Sequence, residues 1–272
     1  MILHGEGGND MPATYAHYVF GKKVYQQLPA GIGKLIREHP KAYLLGLHGP
    51  DLLFYYRPLG KNRVNQRGSR MHHELASDFF EMGRKVYQET GDLELFSYLT
   101  GFLCHFTLDS ECHPYIRRYM EDYRVSHTEI ETELDRALME EARLNPTTHN
   151  CTAHLCRKKS TERAIASVLE GVSVGQVDES IREFRWCIRL LQCPKRGKEL
   201  VLRALFCLIG QKDYFGGMLM TGRENQRCQG SRLFLAQRLE DSVETAVALI
   251  CEYAGKISTA EPLSARFHRD FE

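Results

Sequence analysis

The residues best equipped for chemistry lie between Tyr98 and Asp135. His105 and Asp109 stand four apart in Cys104-His105-Phe106-Thr107-Leu108-Asp109, and His113 follows four residues later, just ahead of Pro114. His127 and Glu131 repeat the step in Ser126-His127-Thr128-Glu129-Ile130-Glu131. At 3.6 residues per turn, a four-residue step puts two side chains one above the other on one helix face. An imidazole and a carboxylate stacked this way can hold a divalent cation with little loss of side-chain freedom, and the mixed nitrogen and oxygen donors suit zinc. Alone, such a pair is a surface interaction worth a few tenths of a kcal/mol. Here the first pair closes a largely apolar run, Leu95 to Phe106, where an unpartnered Asp and His would be costly to bury. Both pairs fall within 27 residues with a third imidazole between them, which favours a metal site. Pro114 disfavours helical geometry at His113.

The elements that must position these groups are helices. Apolar residues recur at spacings of three and four along most of the chain, with no convincing period-two strand or βαβ unit, so the fold class is all-α. Helices are expected over Pro12–Leu28 (with His17), Ile32–Glu38 and Pro40–Leu47. The turn Gly46-Leu47-His48-Gly49-Pro50-Asp51 then leads into the run Leu52-Leu53-Phe54-Tyr55-Tyr56. Arg57 to Arg70 reads as a Gly-, Asn- and Arg-rich loop. A long helix is expected from Met71 to Thr90, with His72 and His73 in its first turn and Leu75, Phe79, Phe80 and Met82 on its stripe. Asp92 is a helix cap before the His105 segment, and the His127 helix should reach Glu141. Residues 145–159 look irregular, and further helices are expected over 160–171, 178–192, 196–209, after Asp213 and over 231–255.

Length and charge set the bounds. A chain of 272 residues can bury a full core as one large domain or two small ones, and a formal charge of +1 demands neither nucleic acid nor an anionic membrane. Nine cysteines, an odd number and scattered, read as free thiols in a reducing compartment. No signal peptide and no apolar run of the ~20 residues needed to span a bilayer are visible, so a soluble, cytoplasmic protein is expected. The division expected is 1–10 as a non-native or disordered extension, 11–145 as the metal-binding region and 146–272 as helices packed on the same domain. The string Gly-Glu-Gly-Gly-Asn-Asp before Met11 back-translates into a purine-rich sequence, as a translated ribosome-binding site would, with Met11 as the true start.

Singly, His17 reads as a satisfied core histidine, Asp51 as a helix N-cap, and His72 and His73 as first-turn polar residues. In order, however, His17, Asp51, His72, His105-x-x-x-Asp109, His113 and His127-x-x-x-Glu131 resemble the bacterial zinc-dependent phospholipase C family, whose all-α fold and trinuclear zinc site are shared by fungal single-strand nucleases. The likeness covers about residues 11–135, and the strings around Asp51 and His105 look like the intracellular branch of that family. The resemblance implies two or three zinc ions per chain. It assigns Asp51, His72, His105 and Asp109 to one ion, His113, His127 and Glu131 to a second, and His17 with the far oxygen of Asp109 to a third. His72 is chosen over its neighbour His73 because Phe79 and Phe80 then fall closest to the family's spacing. Two departures stand out. The step from Asp109 to His113 is shorter than in the secreted enzymes, and the N-terminal Trp that completes their third site is missing, which leaves that site weak, empty, or filled by water or His4.

The implied chemistry is phosphodiester hydrolysis of the phospholipase C type, on a phospholipid or related phosphodiester, with Asp51 as general base as well as ligand. The metals would lower the pKa of the attacking water and stabilise the leaving alkoxide. Tyr55, Tyr56 and Arg57 are the candidate substrate contacts, and the basic run Arg57 to Arg70 a candidate phosphate-seeking rim, against the plainer reading of core aromatics and a solvated loop. Leu52 directly after Asp51 gives no acid for a choline head group. Transient contact with a membrane surface is compatible with this reading, and no stable nucleic-acid binding is expected. The alternatives are a single-strand nuclease or nucleotidase on the same scaffold, and a non-catalytic helical protein stabilised by metal. A second potential metal motif is His149-Asn-Cys151-Thr-Ala-His154-Leu-Cys156, whose spacings match no standard zinc knuckle.

Overall fold

The apolar run that ends at His105 becomes the hub of the molecule. In the computed structural model, which describes residues 13–272 except the side chains of residues 213 and 214, the chain runs through α1 Thr14–Gln27, α2 Ala30–Glu38, α3 Pro40–Gly46, a 3-10 turn Gly49–Tyr55, α4 Arg63–His73, α5 Ala76–Thr90, α6 Leu93–Tyr123 and α7 His127–Glu141. It continues through α8 Lys159–Val168, α9 Val174–Leu191, α10 Arg196–Leu208, α11 Lys212–Gly217, α12 Gln229–Asp241 and α13 Val243–Lys256. The fold is all-α. The strand content among the described residues is one parallel pairing of two-residue strands, β1 Gln192–Cys193 and β2 Met220–Thr221. The expectations for residues 1–10, His4 and Met11 lie outside the described residues.

Helix α6 is buried on every face from Glu94 to Ser110, as expected of a helix apolar all round. Helices α1, α3, α5, α7, α8, α12 and α13 pack around it. The closest packing is with α3, and two glycines permit it: a Cβ on Gly46 would come within 2.2 Å of the Tyr98 carbonyl oxygen, and one on Gly101 within 2.1 Å of the Tyr43 carbonyl oxygen. Buried side chains from Ala13 to Phe271 form one continuous cluster, so the C-terminal helices share the core of the N-terminal ones. No helix among the described residues is long and apolar enough to cross a membrane. All nine cysteines are free.

The capping residues fix the frame. Asp92 accepts from the backbone N–H groups of Glu94 and Leu95 at the start of α6, and Ser126 and Glu129 form a reciprocal capping box at the start of α7. Four expectations need correction. The run from Arg57 to Arg70 is a loop only as far as Asn62, where an Asn62–Asn65 capping box starts α4. His72 and His73 therefore close a helix instead of opening one, and the expected helix from Met71 is interrupted at Glu74 and Leu75. Pro114 does not end α6. The helix runs on to Tyr123, because Cys112, His113, Ile116 and Tyr119 are all buried there and their packing outweighs the lost backbone bond. The helix expected over 231–255 divides at Ser242 into α12 and α13.

The 3-10 turn is fastened from outside by a pair of histidines. His48 Nε2 lies 2.8 Å from His154 Nε2, the His154 ring stacks on Tyr18, and Phe184 meets His48 edge-on. One ring must donate and the other accept, so the two imidazoles cannot both be protonated. Burial pushes His48 well below its ordinary value and His154 down to about 4. An unfolded histidine takes up its proton near pH 6.5. Between that pH and about 4 the unfolded chain therefore holds a proton that the folded chain refuses, and stability present above pH 6.5 is lost as pH falls. Urea unfolding of wild type should lose about 2 kcal/mol more between pH 7.5 and pH 5 than that of His154→Gln, the share owed to His154.

Candidate metal centre

Five elements converge on one buried cluster. Helix α6 presents His105, Asp109 and His113 on one face, α1 brings His17, the 3-10 turn brings Asp51, the last turn of α4 brings His72, and the first turns of α7 bring His127 and Glu131. The turn depends on Gly49, whose φ of +45° lies in the left-handed region and whose missing Cβ leaves room for the His105 ring, 2.2 Å away from where that atom would stand. Donor atoms of His17, Asp51, His105 and Asp109 all lie within 4.8 Å of one another, and so do those of His113, His127 and Glu131.

Asp109 sits between the two groups with its oxygens facing different imidazoles. Oδ2 is 2.8 Å from His105 Nε2 and 4.0 Å from His72 Nε2, while Oδ1 is 3.2 Å from His17 Nε2 and 3.8 Å from His113 Nε2. Asp51 divides itself likewise, with Oδ1 2.9 Å from His72 Nε2 and Oδ2 3.4 Å from His105 Nε2. Glu131 Oε1 lies 3.1 Å from His127 Nε2 and 3.9 Å from His113 Nε2.

These approaches are convergent without being hydrogen bonds in their own right. Both Asp51 oxygens, both ring nitrogens of His105 and Glu131 Oε2 are buried with no hydrogen-bond partner. His72 shows why a cation fits. Its Nδ1 lies 2.9 Å from the Gly68 carbonyl, which can only accept, so Nδ1 carries a proton and Nε2 points its lone pair at Asp51. A lone pair facing a carboxylate oxygen is stable only with something positive between or beside them. Protons would supply that charge in part: burial opposes it, yet Asp51 and then Asp109 raise His72 to about 9, and Asp109 raises His17 against the same opposition. Asp109 is held well below the carboxylate range, because His105, His113 and His17 outweigh its burial. Burial pushes Glu131 up and His113 well down. Divalent cations satisfy all of these groups with the imidazoles neutral and the acids ionised, which is the donor chemistry of zinc.

Several expected residues lie elsewhere. His73 is exposed and reaches only the rim, whereas its neighbour His72 is buried in the cluster. Tyr55 is fully buried and stacks on Phe184 of α9 at 3.9 Å, so it belongs to the core. Tyr56 is buried beneath the Arg57 guanidinium, and Arg57 pairs with Glu179 at 3.2 Å. The mouth over this cluster is instead lined by Phe54, Ser69, His73 and Glu272, above a cavity of about 20 Å³. The motif at 149–156 does not assemble into a cluster: His149 meets Tyr15 edge-on, His154 pairs with His48, Cys151 is buried, and Cys156 forms no donor group with them among the described residues.

Sequence reasoning passed over three contributors. Asp135 extends the row of His127 and Glu131 by one more step of four, a visible signal, and it reaches across to α1. Its Oδ2 accepts from the Tyr15 N–H at 2.9 Å and its Oδ1 from the Ala16 N–H at 2.7 Å, capping from α7 a helix whose own N-cap, Ala13, offers no side chain. Phe271 packs on His72 and His105, and its N–H donates to the His72 carbonyl. Glu272, held by Arg117, lies 3.9 Å from His113 Nδ1. Nothing in the local sequence of that segment announces either contact. Removing the Asp135 carboxylate strands two buried N–H groups beside His17, so Asp135→Ala should destabilise the fold by about 2–6 kcal/mol in urea unfolding, at about 1–3 kcal/mol for each buried donor left unmet.

No curated protein and no solved structure matches this chain. The family model described as zinc dependent phospholipase C matches residues 16–182, which spans α1 to α9 and so takes in every member of the cluster. The chain belongs to the zinc-dependent phospholipase C family.

Proposed function

We propose that this protein is a zinc-dependent phosphodiesterase that cleaves a phospholipid or a related phosphodiester in the manner of a phospholipase C. The observation that carries this reading is the pair of buried aspartates, Asp51 and Asp109, each dividing its two oxygens between different imidazoles, with neither oxygen of Asp51 hydrogen-bonded. In this reading Asp51, His72, His105 and Asp109 hold one ion, and His113, His127 and Glu131 a second. His17 with Oδ1 of Asp109 would hold a third. Zinc, when bound, supplies Lewis acidity: it makes water acidic enough to act as a nucleophile near neutral pH and stabilises negative charge on the phosphoryl and leaving oxygens.

The chain's own groups do the rest. Asp51, on a rigid turn and lining the cavity, takes the proton of the attacking water at a carboxylate oxygen. The Gly68 carbonyl fixes the His72 tautomer, so the ring keeps Nε2 as a donor. Phe54 and Phe271 pack against His72 and keep that side of the cluster dry, which strengthens every charge interaction inside. The cavity over the cluster is small, and in this reading the larger part of the substrate stays at the mouth. Nine free thiols fit the reducing interior of a cell, and the reading includes a cytoplasmic location.

The test is hydrolysis of short-chain soluble phosphodiesters and of phospholipids by wild type and Asp51→Asn. Turnover should vanish with chelator and return with zinc, and Asp51→Asn should lose about 10²-fold or more in kcat while keeping most of its thermal stability. A wild type that turns over no phosphodiester, with Asp51→Asn lowering chiefly the melting temperature, would leave the metals a structural role. Preference for single-stranded nucleic acid over every phosphodiester lipid would move the assignment to a nuclease.

A further inference from the structure

Helix α10 is turned the wrong way out for a helix of a water-exposed surface. Its inward side is Glu199, Leu202 and Phe206, and its principal packing is against the short helix α11 and strand β1. Its outward side is also apolar: Leu200, Val201, Leu205 and Leu208, with Ile209 just beyond, are all exposed, Leu208 by 84% and Val201 by 68%. A helix apolar on both sides, with one side facing water, is missing a partner.

The charges around it indicate what that partner is. From Arg185 to Lys212 the chain carries seven basic residues and one acidic residue, a local excess of six in a protein whose total is +1. The one acid, Glu199, faces inward and is already paired with Arg203 and Arg223. Lys195 and Arg196 at the start of α10 and Lys212 just past its end are exposed, and neither Lys195 nor Arg196 has an acidic partner among the described residues. The end of α9 has the same chemistry, with Trp186 exposed in a shallow cleft shared with Arg157, Arg182, Arg185 and Arg189.

We infer that α10 docks the protein on an anionic phospholipid surface, its aliphatic side chains entering the acyl boundary and the cations at its two ends meeting the headgroups. An apolar face with cations at both ends is what an interfacial helix presents to such a surface. A second copy of the chain fits less well, because a two-fold contact through α10 would set the cationic ends of one copy against those of the other. A nucleic acid would find aliphatic side chains where it needs aromatic platforms. The inference rests on the proposed hydrolase reading only for the sense of having lipid as the occupant.

The experiment is flotation of the full chain with vesicles of phosphatidylcholine alone and of phosphatidylcholine with phosphatidylserine. It compares wild type with Val201→Glu/Leu208→Glu and with Lys195→Gln/Arg196→Gln, after melting curves confirm that each variant folds. Wild type should bind the mixed vesicles, more weakly the neutral ones, and release with salt. Lys195→Gln/Arg196→Gln should bind about thirty-fold more weakly, at about five-fold per cation lost, and Val201→Glu/Leu208→Glu should not bind. Hydrolysis of a soluble short-chain phosphodiester should be unchanged in both variants, so loss of docking and loss of chemistry are read separately. Wild type failing to bind the mixed vesicles at low salt would overturn the proposal, as would variants that bind like wild type. So would a dimer in light scattering that Val201→Glu/Leu208→Glu makes monomeric without any vesicle binding.

Discussion

Three buried carboxylates facing five buried imidazoles set the terms for the rest of the structure. Asp51, Asp109 and Glu131 are each almost wholly removed from water, and so are His17, His72, His105, His113 and His127. Burying charge costs several kcal/mol per group unless it is compensated, and this cluster contains no lysine or arginine to compensate it. Imidazolium protons relieve some of the imbalance, as the raised values at His17 and His72 indicate. Cations relieve all of it. Metal binding here would therefore serve both the stability of this region and the proposed chemistry.

Holding eight such groups in one place explains features that otherwise look wasteful. Helix α6 is long and buried and carries His105, Asp109 and His113 along one rigid face, and its passage through Pro114 keeps His113 in line with the other two. The Gly46 and Gly101 contact draws α3 against α6, and the chain leaving α3 reaches Asp51 within five residues. Gly49 then lets the turn pass directly over His105. Asp135 ties the His17 helix to the helix of His127 and Glu131, and Phe271 seals His72 and His105 from behind.

Much of this was legible in the sequence because it is local. The i,i+4 pairs on α6 and α7 are periodic signals, and Asp92 and Ser126 mark the starts of those helices. The fold class followed from the same periodicity. What escaped depends on distance or on competing local signals. The glycine and arginine content of residues 57–70 masked the Asn62–Asn65 capping box, so His72 was set at the wrong end of its helix. The aromatic run after Asp51 suggested a substrate wall, but the turn is a 3-10 helix that sends Tyr55 to Phe184 and leaves only Phe54 at the mouth. Phe271 and Glu272 reach the site from the far end of the chain, and no spacing rule carries information over that separation. The exposed face of α10 was hidden for a related reason: an apolar helical stripe reads as core until its neighbours are seen.

The central claim is that these eight side chains bind metal, and elemental analysis of the purified, untagged protein tests it most directly. Wild type should carry two or more zinc ions per chain, one for each donor group at least, and His105→Ala should lose part of that content because His105 serves the group built on Asp51 and Asp109. Fewer than one metal ion per chain after purification in the presence of zinc would contradict the account.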